Sequence, residues 1–173
     1  FNIDQEKAQK LPAAFAFIGD VYRTLEIDTF SAEDLDYAQD HFRILSGIYG
    51  ILRPLDQIQA YRLEMSTKLK NGRNKDLYGL WNKHIIDHLD PLLEKSDNRL
   101  IINLASNEYF KAVDTNKLNA EVVTPVFKDF SQGKYKVMGL FAKRARGAMS
   151  SYIIKNRIED PEQIKLFDWD GYY

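Results

Sequence analysis

Cysteine is missing from all 173 positions. Its absence removes thiol peroxidases, CxxC redox centres, thiolate zinc sites and iron–sulfur clusters from the available chemistry. It also suits a reducing compartment, because small secreted domains usually carry disulfides, so a cytoplasmic location is expected. No apolar run approaches the roughly 20 residues that span a bilayer, and no signal peptide is visible at the start. GxGxxG, Walker and GxSxG motifs are absent too. Net charge is only −1, which excludes a protein basic all over. No repeat, low-complexity tract or Pro/Gly/Ser linker divides the chain. Because the sequence begins at Phe1 rather than Met, a piece of something longer is the expectation.

What is present suits one folded domain. Hydrophobic residues make up 45% and charged residues 28%, close to ordinary globular usage. Ten Tyr and ten Phe supply a dense core with aromatic surface to spare. The charges are segregated. Six acids (Glu26, Asp28, Glu33, Asp34, Asp36, Asp40) lie between Thr24 and Phe42 with no Lys or Arg. Seven bases (Lys134, Lys136, Lys143, Arg144, Arg146, Lys155, Arg157) lie between Phe130 and Ile158 with no acid. A neutral total can thus hide a basic face that a polyanion would feel; equally, the two surfaces could attract one another.

Ser31 with Asp34 resembles a capping box, and Leu35, Ala38, Phe42, Leu45 and Tyr49 recur at helical spacing. An amphipathic helix from Ser31 to about Tyr49 is expected, loosened by Gly47 and Gly50, with Pro54 opening a second helix. A further helix is expected over Asp76–Leu89, interrupted by Pro91. Strands are expected at Leu100–Ala105, Glu121–Phe127 and Tyr135–Phe141, with hairpin character at Ser131-Gln132-Gly133. Ala142–Arg157 should be helical, and Asp160-Pro161-Glu162-Gln163 should start another helix. Helices and strands alternate without a regular βαβ beat, so the fold class expected is mixed α/β (α+β), a single domain over 1–173.

Two helices joined at Gly47-Ile48-Tyr49-Gly50 would free backbone N–H groups for a phosphate, with Arg53 adding charge. That is the logic of a helix-hairpin-helix element; a plain structural turn explains the glycines as well. Lys143 and Arg146, three apart, would share a helix face with Arg144 beside them, and packed like charges call for an acidic partner. Asn103 to Lys111 runs from a strand end into a polar turn, where Ser106 can serve as an N-cap. Asp20, Glu64 or Glu108 could act as a general base in an alternative reading, an enzyme acting on a nucleotide or nucleic-acid base that clamps phosphates with its arginines, although sequence cannot bring two carboxylates together. His84 and His88 are spaced i, i+4 but lack the Glu of HExxH and a third ligand, so no metal is expected. His41, in the acidic helix, is expected to be paired.

Together these runs resemble the YaaA family of peroxide-stress proteins. The matching stretches are Gly19-Asp20-Val21-Tyr22, Leu45 through Asp56, Tyr61-Arg62-Leu63-Glu64-Met65, Ile102-Asn103-Leu104-Ala105-Ser106 with Glu108-Tyr109-Phe110-Lys111, and Ala142-Lys143-Arg144-Ala145-Arg146-Gly147. The resemblance implies a cytosolic bacterial protein of the oxidative-stress response that limits damage from peroxide and free iron. It also implies binding of duplex or branched DNA, without sequence preference, through a basic cleft with a helix-hairpin-helix element. On that basis Gly47, Tyr49, Gly50, Arg53, Arg62, Lys111, Lys143, Arg144 and Arg146 are the expected DNA-binding residues, with no cofactor. The family's N-terminal segment, with its Ser-Pro-Ala-Lys run, and its tail beyond Tyr173 are not in this stretch. Thr24 and Ser66 stand where the family commonly has glycine.

Overall fold

The computed structural model of the protein describes residues 9–70 and 72–172. In chain order the elements are β1 (Lys10–Pro12), α1 (Ala13–Ala16), α2 (Asp20–Leu25), α3 (Ala32–His41), β2 (Ile44–Ser46), β3 (Gly50–Leu52), β4 (Gln57–Gln59), α4 (Leu77–Lys95), β5 (Leu100–Ile102), α5 (Asn107–Phe110), β6 (Glu121–Val123), β7 (Asp129–Ser131), β8 (Lys134–Lys136) and α6 (Gly139–Lys155). Short 3₁₀ turns lie at Ile27–Thr29, Thr115–Lys117 and Pro161–Leu166. The fold is mixed α+β. Among the described residues the strands pair two by two: β1–β4, β2–β3 and β7–β8 antiparallel, β5–β6 parallel.

Local chemistry explains most starts and stops. The Ser31 hydroxyl accepts from the Asp34 N–H while the Asp34 carboxylate accepts from the Ser31 N–H, a complete capping box at the start of α3. Asp76 caps α4 by accepting from the Gly79 N–H, and Ser106 caps α5 by accepting from the Tyr109 N–H. Asp160 caps the last 3₁₀ turn, with Pro161 at its first position.

Several expectations are corrected. The α3 helix ends at His41 rather than near Tyr49; Phe42 is extended, and the Arg43 guanidinium donates to the Gln39 and Phe42 carbonyls that the helix leaves unpaired. Leu45 and Tyr49 kept helical spacing by coincidence. Ile44–Ser46 instead pairs with Gly50–Leu52, so Gly47–Tyr49 is the loop of a β-hairpin and not of a helix-hairpin-helix. Pro54 opens no helix either, since a turn closed by the Asp56 N–H on the Arg53 carbonyl leads into β4. Pro91 sits exposed inside α4 without ending it. The strands after Leu100 are also shorter than expected, and Gly139–Phe141 already belongs to α6.

Three apolar clusters hold the elements. Ala13, Leu25, Ile44, Leu52, Ile58 and Ile154 gather α1 to β4 around the end of α6. Met65, Leu77, Ile85 and Leu93 seat α4 against Ala112, Val113 and Leu118. Phe127, Ala142, Ala145, Met149, Ile164 and Phe167 clamp the start of α6 to the C-terminal segment. Fully burying a side chain such as Ile85 or Leu77 contributes about 1.5–3 kcal/mol. The tightest crossing is α2 on α6. A Cβ on Gly147 would collide with the Val21 carbonyl and the Thr24 hydroxyl, so only glycine permits this approach. Thr24, one of the positions departing from glycine, donates its hydroxyl to the Arg144 carbonyl at 2.7 Å and ties the helices together.

Candidate nucleic-acid interface

The glycine hairpin is a packing device. The Trp81 indole N–H donates to the Gly47 carbonyl at 2.9 Å, and its ring lies against the Gly50 Cα, where a Cβ has no room. A Cβ on Gly47 would strike the Leu63 carbonyl. Gly50 has φ +73°, a second reason for glycine. Buried Ser46 shares a 2.5 Å hydrogen bond with the Tyr61 hydroxyl and accepts from the Tyr49 N–H. The Tyr49 hydroxyl accepts from the Gln59 N–H, fastening the hairpin to β4. Arg53 is engaged locally, 3.0 Å from Asp56, whose other oxygen accepts from the Arg53 N–H.

Tyr22, Tyr61 and Tyr109 lie close behind this hairpin. Burial is the first cause that pushes each phenol up; Tyr61 adds to it at Tyr22 and Tyr109, and Tyr49 adds to it at Tyr61. Two of the three candidate carboxylates border the same cluster, because Glu108 and Glu64 both raise Tyr109 further. Glu108 accepts from the Ser66 N–H at 3.0 Å, whereas Glu64 and Arg62 are exposed. Asp20 lies in the first turn of α2. Lys111 lies over the Tyr78 ring at 4.9 Å and lines an open cleft of about 530 Å³ with Asn82, Asn107 and Asp114. None of Asp20, Glu64 and Glu108 lines that cleft.

The basic stretch divides into two along α6. At its C-terminal end the bases serve the fold: Arg157 pairs with Asp34 at 2.8 Å and lies over Tyr37, and Lys155 donates to the Thr29 hydroxyl. The acidic and basic stretches thus do attract one another here. At the N-terminal end two bases remain available. Lys143 is exposed, and Arg146 is half-buried with no hydrogen bond or ion pair to its guanidinium among the described residues. Burial lowers the Arg146 pKa from its usual value, the signature of a cation short of water.

Arg144 does not share their flank. At 100° per residue it turns about 160° from Arg146. It reaches Asp170 at 3.9 Å and the Trp169 face at 5.6 Å, beside a smaller cleft of about 220 Å³ lined by Asp129, Phe141 and Tyr172. No hydrogen bond, ion pair or ring contact among the described residues joins Arg53 to these bases. The charged groups acting on Arg43 and His88 place Arg53 and Asp56 on their side instead.

The histidines have local occupations. His88 Nε2 accepts from the Arg43 guanidinium at 3.0 Å, while His84 packs edge-on to Trp81. His41 is paired through Tyr37, bonding its carbonyl and stacking on its ring, rather than through an acid.

The hairpin expected at Ser131-Gln132-Gly133 is present as β7–β8, leading into α6, but sequence reasoning passed over the aromatic rings it carries. Phe130 and Tyr135 face each other across it and are 66% and 68% exposed. The available signal was the alternation of Lys and aromatic residues from Lys128 to Lys136.

The described residues thus present an α+β scaffold with a lysine- and arginine-bearing helix start and, on the hairpin before it, two exposed aromatic rings. The chain belongs to the family described as Peroxide stress protein YaaA, whose model matches residues 2–173. It is 57% identical over 166 residues to a UPF0246 protein of Saccharophagus degradans, covering 96% of this chain and 65% of that protein. It is 56% identical over 160 residues to one from Teredinibacter turnerae, covering 92% and 62%. A third, from Polynucleobacter asymbioticus, is 50% identical over 172 residues, covering 99% and 65%. The chain therefore spans a little under two thirds of the length of these curated relatives. No helix among the described residues is long and apolar enough to cross a membrane.

Proposed function

We propose that this chain binds DNA through phosphate contacts at the start of α6, shielding it during peroxide stress and so limiting iron-driven damage. The observation that carries this is Arg146: half-buried, without an acidic partner among the described residues, and three positions from exposed Lys143 on one helix flank. A phosphate supplies the missing anion, and a guanidinium suits it by its paired donors. Arg144 contributes less, being held by Asp170 and Trp169. Such contacts position a duplex without reading its bases, so binding is independent of sequence.

The test is duplex binding over a range of salt concentrations. Replacing Lys143 and Arg146 together by Ala should weaken affinity for any 20-bp duplex. The log–log salt slope should flatten by about 0.9 for each phosphate that the variant no longer neutralises. Adding Arg144→Ala should change it less. Unchanged affinity and slope in the triple variant would remove α6 from the interface.

A further inference from the structure

We infer that the β7–β8 hairpin is a stacking platform for unpaired nucleobases, so that the interface takes single-stranded or locally opened nucleic acid as well as duplex. The inference rests on the reading that the adjacent start of α6 contacts phosphates. The hairpin closes through a two-residue loop, Gln132-Gly133, with φ of +54° and +78°, the backbone pattern of a tight type I′ turn. This short connection fixes Phe130 directly opposite Tyr135, with ring centroids 5.3 Å apart at an interplanar angle of 62°. Two large rings held rigidly in solvent leave apolar faces uncovered, with little side-chain freedom left to lose on binding.

The chemistry around the rings selects the occupant. Lys134 and Lys136 flank Tyr135, Lys128 precedes the hairpin and Lys143 follows it. The acid within the hairpin, Asp129, is turned away, accepting from the Tyr172 hydroxyl at 2.8 Å. Lys134 and Lys136 alternate with Tyr135 and so leave on the opposite face from the rings, giving the ribbon one aromatic and one basic face, which fits a polyanion carrying flat apolar groups. Single-stranded nucleic acid is that ligand, because every base has a face to stack and every link has a phosphate. In a closed duplex the base faces are hidden, so the rings would contribute nothing to duplex binding.

Binding of a 20-nucleotide oligothymidylate and of a 20-bp duplex should be measured by fluorescence anisotropy with the full chain. The variants are Phe130→Ala, Tyr135→Ala, Phe130→Leu and Tyr135→Phe, with folding checked by circular dichroism. Each Ala variant and Phe130→Leu should lose about tenfold or more on the oligothymidylate and less than twofold on the duplex. Tyr135→Phe should retain wild-type affinity, since it keeps the ring. Phe130→Leu keeps an apolar side chain, so it isolates the aromatic face even if the Ala variants fold poorly. Unchanged oligothymidylate affinity, or equal loss on both ligands, would overturn the platform while leaving the α6 reading intact. Oligothymidylate binding with these losses but no duplex binding would instead sink the α6 reading alone. A wild-type dimer in sedimentation that the Ala variants dissociate would assign the rings to a second copy and overturn the inference.

Discussion

The β2–β3 and β7–β8 hairpins have strands of equal length and opposite surroundings. The first, with a three-residue loop, is wedged between Trp81 and the Leu63 carbonyl, and both loop-end glycines are demanded by packing. The second, with a two-residue loop, touches little: a Cβ on Gly133 would meet nothing within 4 Å, and its two rings stand in solvent. A conspicuous glycine motif here reports a close approach inside the protein. Aromatics left outside a sheet are the ones that burial in the described residues does not explain.

That contrast can be broken by substitution, and the largest effect should come from Gly50→Ala. The new methyl group meets the Trp81 ring and the residue must hold a positive φ, so a loss of about 2–4 kcal/mol is expected. Gly133→Ala carries only the backbone strain, about 1 kcal/mol. Denaturant unfolding of both variants measures the difference; equal losses would show that the two hairpins are packed alike.

A smaller effect is expected at Arg53. Its ion pair with Asp56 is half exposed, and such pairs contribute about 0–1 kcal/mol. Arg53→Ala should therefore lower stability slightly and leave the salt slope of duplex binding unchanged. A slope reduced by about 0.9 would return Arg53 to the interface.

The smallest effect concerns the anchor of the exposed hairpin. Burial, and next the hydrogen bond to Asp129, push the Tyr172 phenol up from 10.0 to about 12. A raised pKa means that the folded state holds the proton more tightly than the unfolded chain. The resulting stability is complete below about pH 10 and lost as pH rises towards 12. Tyr172→Phe should flatten the fall in melting temperature over that window. An unaltered profile would mean that the Asp129 contact does not hold in solution.

Much of the fold could be read from the sequence because its signals are local. The Ser31–Asp34 capping box, the Ser106 cap, the Asp160-Pro161 start and the inward Ala142, Ala145 and Met149 of α6 involve residues within a turn or two of each other. The stretch from His41 to Leu55 resisted because its conformation is set at long range. Trp81 and Leu63 dictate the glycines, and β3 decides whether Leu45 lies in a helix or a strand. The basic stretch was visible, but its division was not. Asp34, Thr29 and Asp170, distant in sequence, determine which bases are occupied and leave Lys143 and Arg146 available.

The crossing of α2 on α6 at Gly147 has a consequence for motion. The middle turns of α6, from Gly147 to Ser151, are buried, and the Arg144 carbonyl is held by the Thr24 hydroxyl from outside the helix. Opening those turns requires pulling α2 away as well, so they should open with the global unfolding of the domain rather than by local fraying. Lys143 and Arg146 stand within a turn of that locked segment. They are carried on one of the stiffest parts of the chain, and a bound strand would meet charges already in place.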